Sequence, residues 1–182
     1  MSARNRLRLM VTGASGQVGW ELLRSLAPLG GVVAADRSRM DLSDPDAIRR
    51  AIRDIRPAVR VNPAAWTAID RAEAEPDAAA AINAVAPGIL AEECRRLDAL
   101  RVHYSTDFVF DGSRAEPWTE DDEMAPLNVY GATKLAGERA GCIHCAATIF
   151  FGPWSASHSA AATCASSTIS SARQRPPSRS PI

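Results

Sequence analysis

No sign of charge dominates this chain, whose 182 residues carry 21 basic and 21 acidic side chains. That balance excludes the one-signed field that draws proteins to nucleic acid or to an anionic membrane surface. No apolar run is long enough to span a bilayer. Behind the basic start, Met1-Ser2-Ala3-Arg4-Asn5-Arg6, stands an apolar stretch of strand length only, too short for a signal-peptide core. Cysteine is scarce, and three of the four (Cys142, Cys145, Cys164) sit in one odd C-terminal stretch, which speaks against a disulfide framework. Internal repeats are missing. These absences predict a soluble, cytoplasmic protein with one core-bearing domain.

Acid is also missing from the last quarter, since every Asp and Glu lies at or before Glu138. From Gly141 onward the only formal charges are Arg173, Arg175 and Arg179, among much serine and alanine. Ala147 to Phe151 reads as one more strand, with Gly152-Pro153 as a turn. Beyond it no helical stripe and no strand alternation is visible, and Arg173 to Pro181 reads as disordered. Residues 1–152 are therefore expected to form the domain and 153–182 a low-complexity tail from a truncated or frameshifted reading. Cys142, His144 and Cys145, with His158 and Cys164, fit no zinc spacing, so no metal site is assigned.

What the chain does have is alternation. Leu7 to Thr12, Gly31 to Asp36, Ala58 to Asn62 and Arg101 to Ser105 read as strands. Between them lie a helix from Gly16 to Ala27 and another from Ser43-Asp44-Pro45 to about Ile55, with Ala47, Ile48, Ala51, Ile52 and Ile55 on one stripe. Pro76 opens a long alanine-rich helix to Asp98, expected to kink near Pro87-Gly88. A loop from Asp111 to Asn128 precedes a helix from Val129 to about Ala140. This pattern predicts an α/β fold, a Rossmann-like, doubly wound parallel sheet.

The first strand runs into Gly13-Ala14-Ser15-Gly16-Gln17-Val18-Gly19. Gly13 suits the tight turn, Gly16 the approach of a backbone to a pyrophosphate, and Gly19 close helix-on-strand packing. The helix N-terminus adds free N–H groups and a positive dipole end. Asp36, at the end of the second strand, stands where a carboxylate would bind an adenosine ribose. Arg37 beside it could take a 2′-phosphate instead, so NAD(H) and NADP(H) are both open.

Tyr130 and Lys134 lie one helical turn apart and share a face. A phenol ordinarily ionises near pH 10, and a neighbouring ammonium favours the phenolate. Lysine can also hold the nicotinamide ribose. Thr106 ends a strand at the carboxyl edge of the sheet, where open α/β folds bind ligands, and its hydroxyl could bond a reacting carbonyl. Asp107 could bind a substrate hydroxyl or cap a turn.

These residues resemble the extended short-chain dehydrogenase/reductase superfamily and, within it, the dTDP-4-dehydrorhamnose reductase family. The matching stretches are Gly13 to Trp20, Val61 to Glu75, His103 to Asp111 and Pro126 to Glu138, within roughly residues 7–140. The resemblance implies NADPH- or NADH-dependent reduction of the 4-keto group of dTDP-4-dehydrorhamnose to dTDP-L-rhamnose. It implies Tyr130, Lys134 and Thr106 as catalytic and Thr106 and Asp107 as substrate-binding. Gly13, Gly16, Gln17, Val18, Gly19, Asp36, Arg37, Asp41, Leu42, Ala64, Ala65, Trp66, Tyr130 and Lys134 would line the cofactor. It leaves open a homodimer and a Mg2+ requirement. Pro63 and Trp66 depart from residues common in the family, and after Ala140 its substrate-binding half finds no match. Two rivals remain. One is a nucleotide-sugar epimerase or dehydratase, disfavoured by Phe108 where a dehydratase carries an acid. The other is a non-catalytic subunit resembling the regulatory subunit of methionine adenosyltransferase.

Overall fold

Short β-branched and apolar runs become the strands of a six-stranded sheet ordered β2-β1-β3-β4-β5-β6. The strands are β1 (Arg8–Thr12), β2 (Gly31–Ala35), β3 (Val59–Asn62), β4 (Leu100–Tyr104), β5 (Thr148–Phe151) and β6 (Ala161–Thr163). The computed structural model describes residues 7–113, 118–119, 122–144, 148–151 and 161–163. β1 to β5 pair in parallel, and β6 pairs antiparallel with β5. A strand at Ala161–Thr163 was not expected. It falls inside the stretch read as a tail, and its sequence of small residues has no alternation to reveal it. The rest of that stretch, and the metal-ligand spacing around Cys145, His158 and Cys164, lie outside the described residues.

The helices are α1 (Gln17–Leu26), α2 (Pro45–Ile55), α3 (Ile69–Ala74), α4 (Pro76–Ala80), α5 (Ala86–Arg96) and α6 (Val129–His144). A crossover between parallel strands is right-handed, so its direction along the sheet sets the face its helix covers. The step from β1 to β2 runs one way and all later parallel steps run the other. α1 therefore lies on one face, against β1 and β2, while α2, α5 and α6 pack side by side on the opposite face. The reversal falls between β1 and β3, and ligands of open α/β sheets bind at such a switch point.

The core fills the α2–α5 side, with Met10, Ala35, Met40, Ile48, Ile52, Ile55 and Leu90 buried together. Four of the five positions of the expected α2 stripe are buried (Ile48, Ala51, Ile52, Ile55). Asp44 starts this helix by accepting from the N–H groups of Asp46 and Ala47 at 2.8 and 3.1 Å. Arg56 ends it in the left-handed conformation, its N–H returning to Ile52 O, and Pro57 bars continuation.

Two helical details differ from expectation. α3 was not foreseen. The long helix is irregular not at Pro87-Gly88 but one turn earlier, where Ala81–Val85 is π-helical and joins α4 to α5. Pro87 has no N–H to give Asn83 O and its ring crowds that carbonyl, four residues back. The chain widens there, and the Ala86 N–H reaches back five residues to Ala81 O. Among the described residues no helix is long and apolar enough to cross a membrane.

Candidate active site

The chain leaves β1 through Gly13, whose φ of +57° is a left-handed conformation that favours glycine. Gly13 N donates to Ala35 O at 3.1 Å and Gly16 N to Gly13 O at 3.0 Å, closing the turn. A side chain at Gly13 would put its Cβ 2.8 Å from the Cβ of Ala64, so the turns after β1 and β3 touch. At Gly19 a Cβ would lie 2.2 Å from Gly13 O, so only glycine lets α1 lie down on the turn. At Gly16 it would meet Gly13 O alone, at 3.3 Å. Gly16 caps α1 without a side-chain hydrogen bond, and Gln17 and Val18 are exposed in the first turn. The result is a glycine turn with exposed first-turn residues at the positive end of a ten-residue helix, whose charge suits a diphosphate.

Asp36 follows β2. Its Oδ1 accepts from Ser38 N, Ser38 Oγ and Arg39 N at 3.1, 2.6 and 3.1 Å. The Ser38 hydroxyl first, and then the Arg39 N–H, hold this carboxyl below its ordinary range. Arg37 is exposed and its Nε donates to Asp41 Oδ2 at 3.3 Å, while Asp41 Oδ1 accepts from Ser43. Leu42 packs against the hydrophobic core. Arg37, Arg39 and Arg50 line a cavity of about 340 Å³ against α2, shared with Asp41 and Asp54.

After β3, Ala64, Ala65 and Trp66 run half-buried beside Gly13. Asn83, in the π-helical turn and 1% exposed, clamps this segment. Its Oδ1 accepts from Trp66 N at 2.8 Å, and its Nδ2 donates to Trp66 O at 3.0 Å and to Thr133 Oγ1 at 3.2 Å. One amide thus ties the β3 turn to α6. The Trp66 ring lies under the Arg71 guanidinium, 4.9 Å from its centroid. Asn83→Ala should expose the Trp66 N–H and cost about 1–3 kcal/mol. Hydrogen exchange at that amide checks it, and protection equal to the parent's would refute the clamp.

β4 delivers Tyr104, Ser105 and Thr106 in succession. Thr106 is 8% exposed. Its hydroxyl accepts from Phe108 N and donates to Asp107 Oδ1, both at 3.3 Å, capping a single turn of 3-10 helix at Asp107–Val109. To bond a substrate carbonyl, this hydroxyl must rotate away from the exposed Asp107. α6 closes over the same edge. At Gly131 a Cβ would sit 2.1 Å from Phe108 O, and at Gly137 2.0 Å from Asn83 O, so both glycines allow the helix to touch backbone. The Tyr130 ring meets Phe108 edge-on at 5.5 Å. Lys134, 3% exposed, donates from Nζ to Tyr104 O. Burial lowers its ammonium from 10.5 to about 8, while the charge of Glu138 works the other way.

The fold therefore brings Tyr130, Lys134 and Thr106 to one edge, beside the turns carrying Gly13, Gly16, Gly19 and Ala64 to Trp66. It packs Leu42 against the core and engages Asp36, Arg37 and Asp41 with their own loop. The sequence reading missed Asn83, Ser105, Gly131, Gly137 and Glu138. Glycines one and seven positions after Tyr130 were a usable signal, because an interior helical glycine needs a packing reason. Asn83 carried a weaker one, its place four residues before a helical proline.

Comparison with known proteins places the chain. The model of the RmlD substrate binding domain matches residues 7–151. A dTDP-4-dehydrorhamnose reductase of Burkholderia thailandensis is 51% identical over 134 residues, which are 74% of this chain and 45% of that protein. One from Escherichia coli K12 is 46% identical over 149 residues, 80% of this chain and 50% of that protein. The crystal structure of a Bacillus anthracis dTDP-4-dehydrorhamnose reductase in complex with NADP superposes with a TM-score of 0.78 at 32% identity, covering 81% of this chain and 53% of that one. The chain spans about half the length of the curated relatives it matches. With a glycine turn, a Tyr-x-x-x-Lys helix and a family model matched from the first strand to the fifth, the chain belongs to the RmlD substrate binding domain family.

Proposed function

We propose that this chain is the dinucleotide-binding half of an NADP(H)-dependent reductase that converts the 4-keto group of dTDP-4-dehydrorhamnose to the alcohol of dTDP-L-rhamnose. The observation that carries the reading is the fastening of the Tyr130–Lys134 helix face to the end of β4, one strand beyond the β3 turn whose Ala64 touches Gly13. The names of the relatives support the substrate, and the NADP in the Bacillus anthracis structure supports the cofactor. The same relatives favour a reductase over the non-catalytic subunit.

The first-turn N–H groups of α1 would hold the diphosphate, with Gly16 leaving it room. Arg37 and the neighbouring Arg39 would meet a 2′-phosphate, which favours NADP(H) over NAD(H). Ala64 to Trp66 would wall the nicotinamide side. Bound there, the cofactor supplies a hydride. Thr106 Oγ orients the carbonyl oxygen once it has left Asp107, and Tyr130 gives that oxygen its proton. Lys134, as an ammonium, donates to the nicotinamide ribose and replenishes the positive field beside the phenol. Because the Lys134 ammonium titrates at about 8, this assistance fades as pH rises above that value. Cytoplasmic location and a homodimer belong to the same proposal.

The test is a fluorescence titration of the full chain with NADPH and NADH, then addition of the dTDP-keto sugar. Saturable binding, tighter for NADPH, is expected. Absence of binding by either nucleotide overturns the reading of the glycine turn. Binding with no turnover assigns the chain the nucleotide half alone.

A further inference from the structure

Tyr130, Lys134 and Glu138 recur every four residues and so form one stripe of α6. The second and third members hold consecutive residues of β4's end. Lys134 Nζ donates to Tyr104 O, and Ser105 Oγ donates to the Glu138 carboxylate. The residue after Ser105 is Thr106. Gly137, the residue before Glu138, lies against Asn83 O in the π-helical turn.

We propose that Glu138 is a positioning residue: its carboxylate anchors the Ser105–Thr106 strand end to α6 and is the counter-charge that keeps Lys134 an ammonium. The proposal deepens the function above and rests on Lys134 serving that reaction. Among the described residues, Glu138 is the charge that acts on the ammonium, the ammonium acts in turn on His103, and Arg60, Arg101 and Arg139 act on those two partners. His103 lies well below its ordinary range, first through burial and then through the charges of Lys134, Arg101 and Arg60, so it is neutral at working pH. Arg60 and Arg101 are fully buried cations that occupy register partners in the sheet. Glu138 is thus the one carboxylate in that set. Burial raises it, against the Ser105 hydrogen bond and the charges of Lys134, Arg139 and Arg101. No step of the proposed reaction uses it directly.

Lys134 is the only lysine in the chain, so 13C-lysine labelling of the full chain gives a single ε-carbon signal to follow against pH. Glu138→Gln keeps an oxygen to accept from Ser105 and removes the charge. The Lys134 midpoint should fall by about one pH unit from the parent value, as expected for loss of a nearby opposite charge. Glu138→Asp, which keeps the charge, should give a smaller fall. A midpoint unchanged in a natively folded Glu138→Gln overturns the proposal. Should that variant not fold, Ser105→Ala decides: releasing the carboxylate must still lower the Lys134 midpoint, and no movement overturns the proposal. The signal reads the ammonium itself without nucleotide or sugar, so a chain that failed the cofactor titration could still pass this test, and the reverse.

Discussion

Lys134→Met is expected to make the fold more stable near pH 7, by about 1–3 kcal/mol, while removing the ammonium that the proposed reaction needs. The folded ammonium titrates at about 8, against an ordinary 10.5. Below the folded value both states hold the proton, so the native state carries the full desolvation penalty of roughly 3 kcal/mol. Methionine fills a similar volume without charge and gives up one hydrogen bond, to Tyr104 O, worth about 1 kcal/mol. As pH rises from about 8 towards 10.5 the folded lysine is neutral while the unfolded one is still charged. The unfolded state then binds more protons, and the parent gains stability. The advantage of the variant should therefore shrink along that window. Urea denaturation of both proteins at pH 7 and pH 10 measures it. A stability difference identical at the two pH values would show that the burial of this ammonium carries no such cost.

The second large effect separates two glycines three residues apart. Gly19→Ala should unseat α1 and abolish nucleotide binding, because its Cβ would come within 2.2 Å of Gly13 O and 2.9 Å of Ala14 Cα. Both are backbone atoms, so relief requires moving the helix off β1, and overpacking of this kind costs about 1–3 kcal/mol or more. Gly16→Ala is different. Its φ of −80° suits any residue, and the added methyl group meets one atom at 3.3 Å. The fold should hold while the methyl group occupies the space a diphosphate would take. Thermal unfolding with NADPH titration distinguishes the cases. Equal loss of stability in the two variants would mean that Gly16 also serves packing rather than ligand approach.

The glycine turn, the α2 stripe and the Tyr130–Lys134 pair were legible because each is a local signal. Gly13 answers to a backbone dihedral, Ile48, Ile52 and Ile55 to a helical period, and Tyr130 and Lys134 to one turn of helix. The clamp on Trp66 was not, because Asn83 lies seventeen residues away and bonds backbone atoms that carry no residue identity. The displacement of the expected kink to Ala81–Val85 had the same origin. Pro87 announces a defect, but its position depends on where the backbone can widen against α6. Glu138 reads in sequence as an ordinary surface acid at the end of a helix, and it took the meeting of α6 with β4 to give it Ser105 as a donor.

Taken alone, the order of residues determined the alternating α/β architecture, the turn that leaves β1 and the chemical kinds available at the site, since dihedral preference, periodicity and side-chain chemistry act over a few residues. Only the packed chain decided that Leu42 packs against the core, and that Lys134 is buried and titrates near 8. Burial and charge coupling depend on which distant segments exclude water from a group, as the meeting of α6 with the end of β4 does at Lys134.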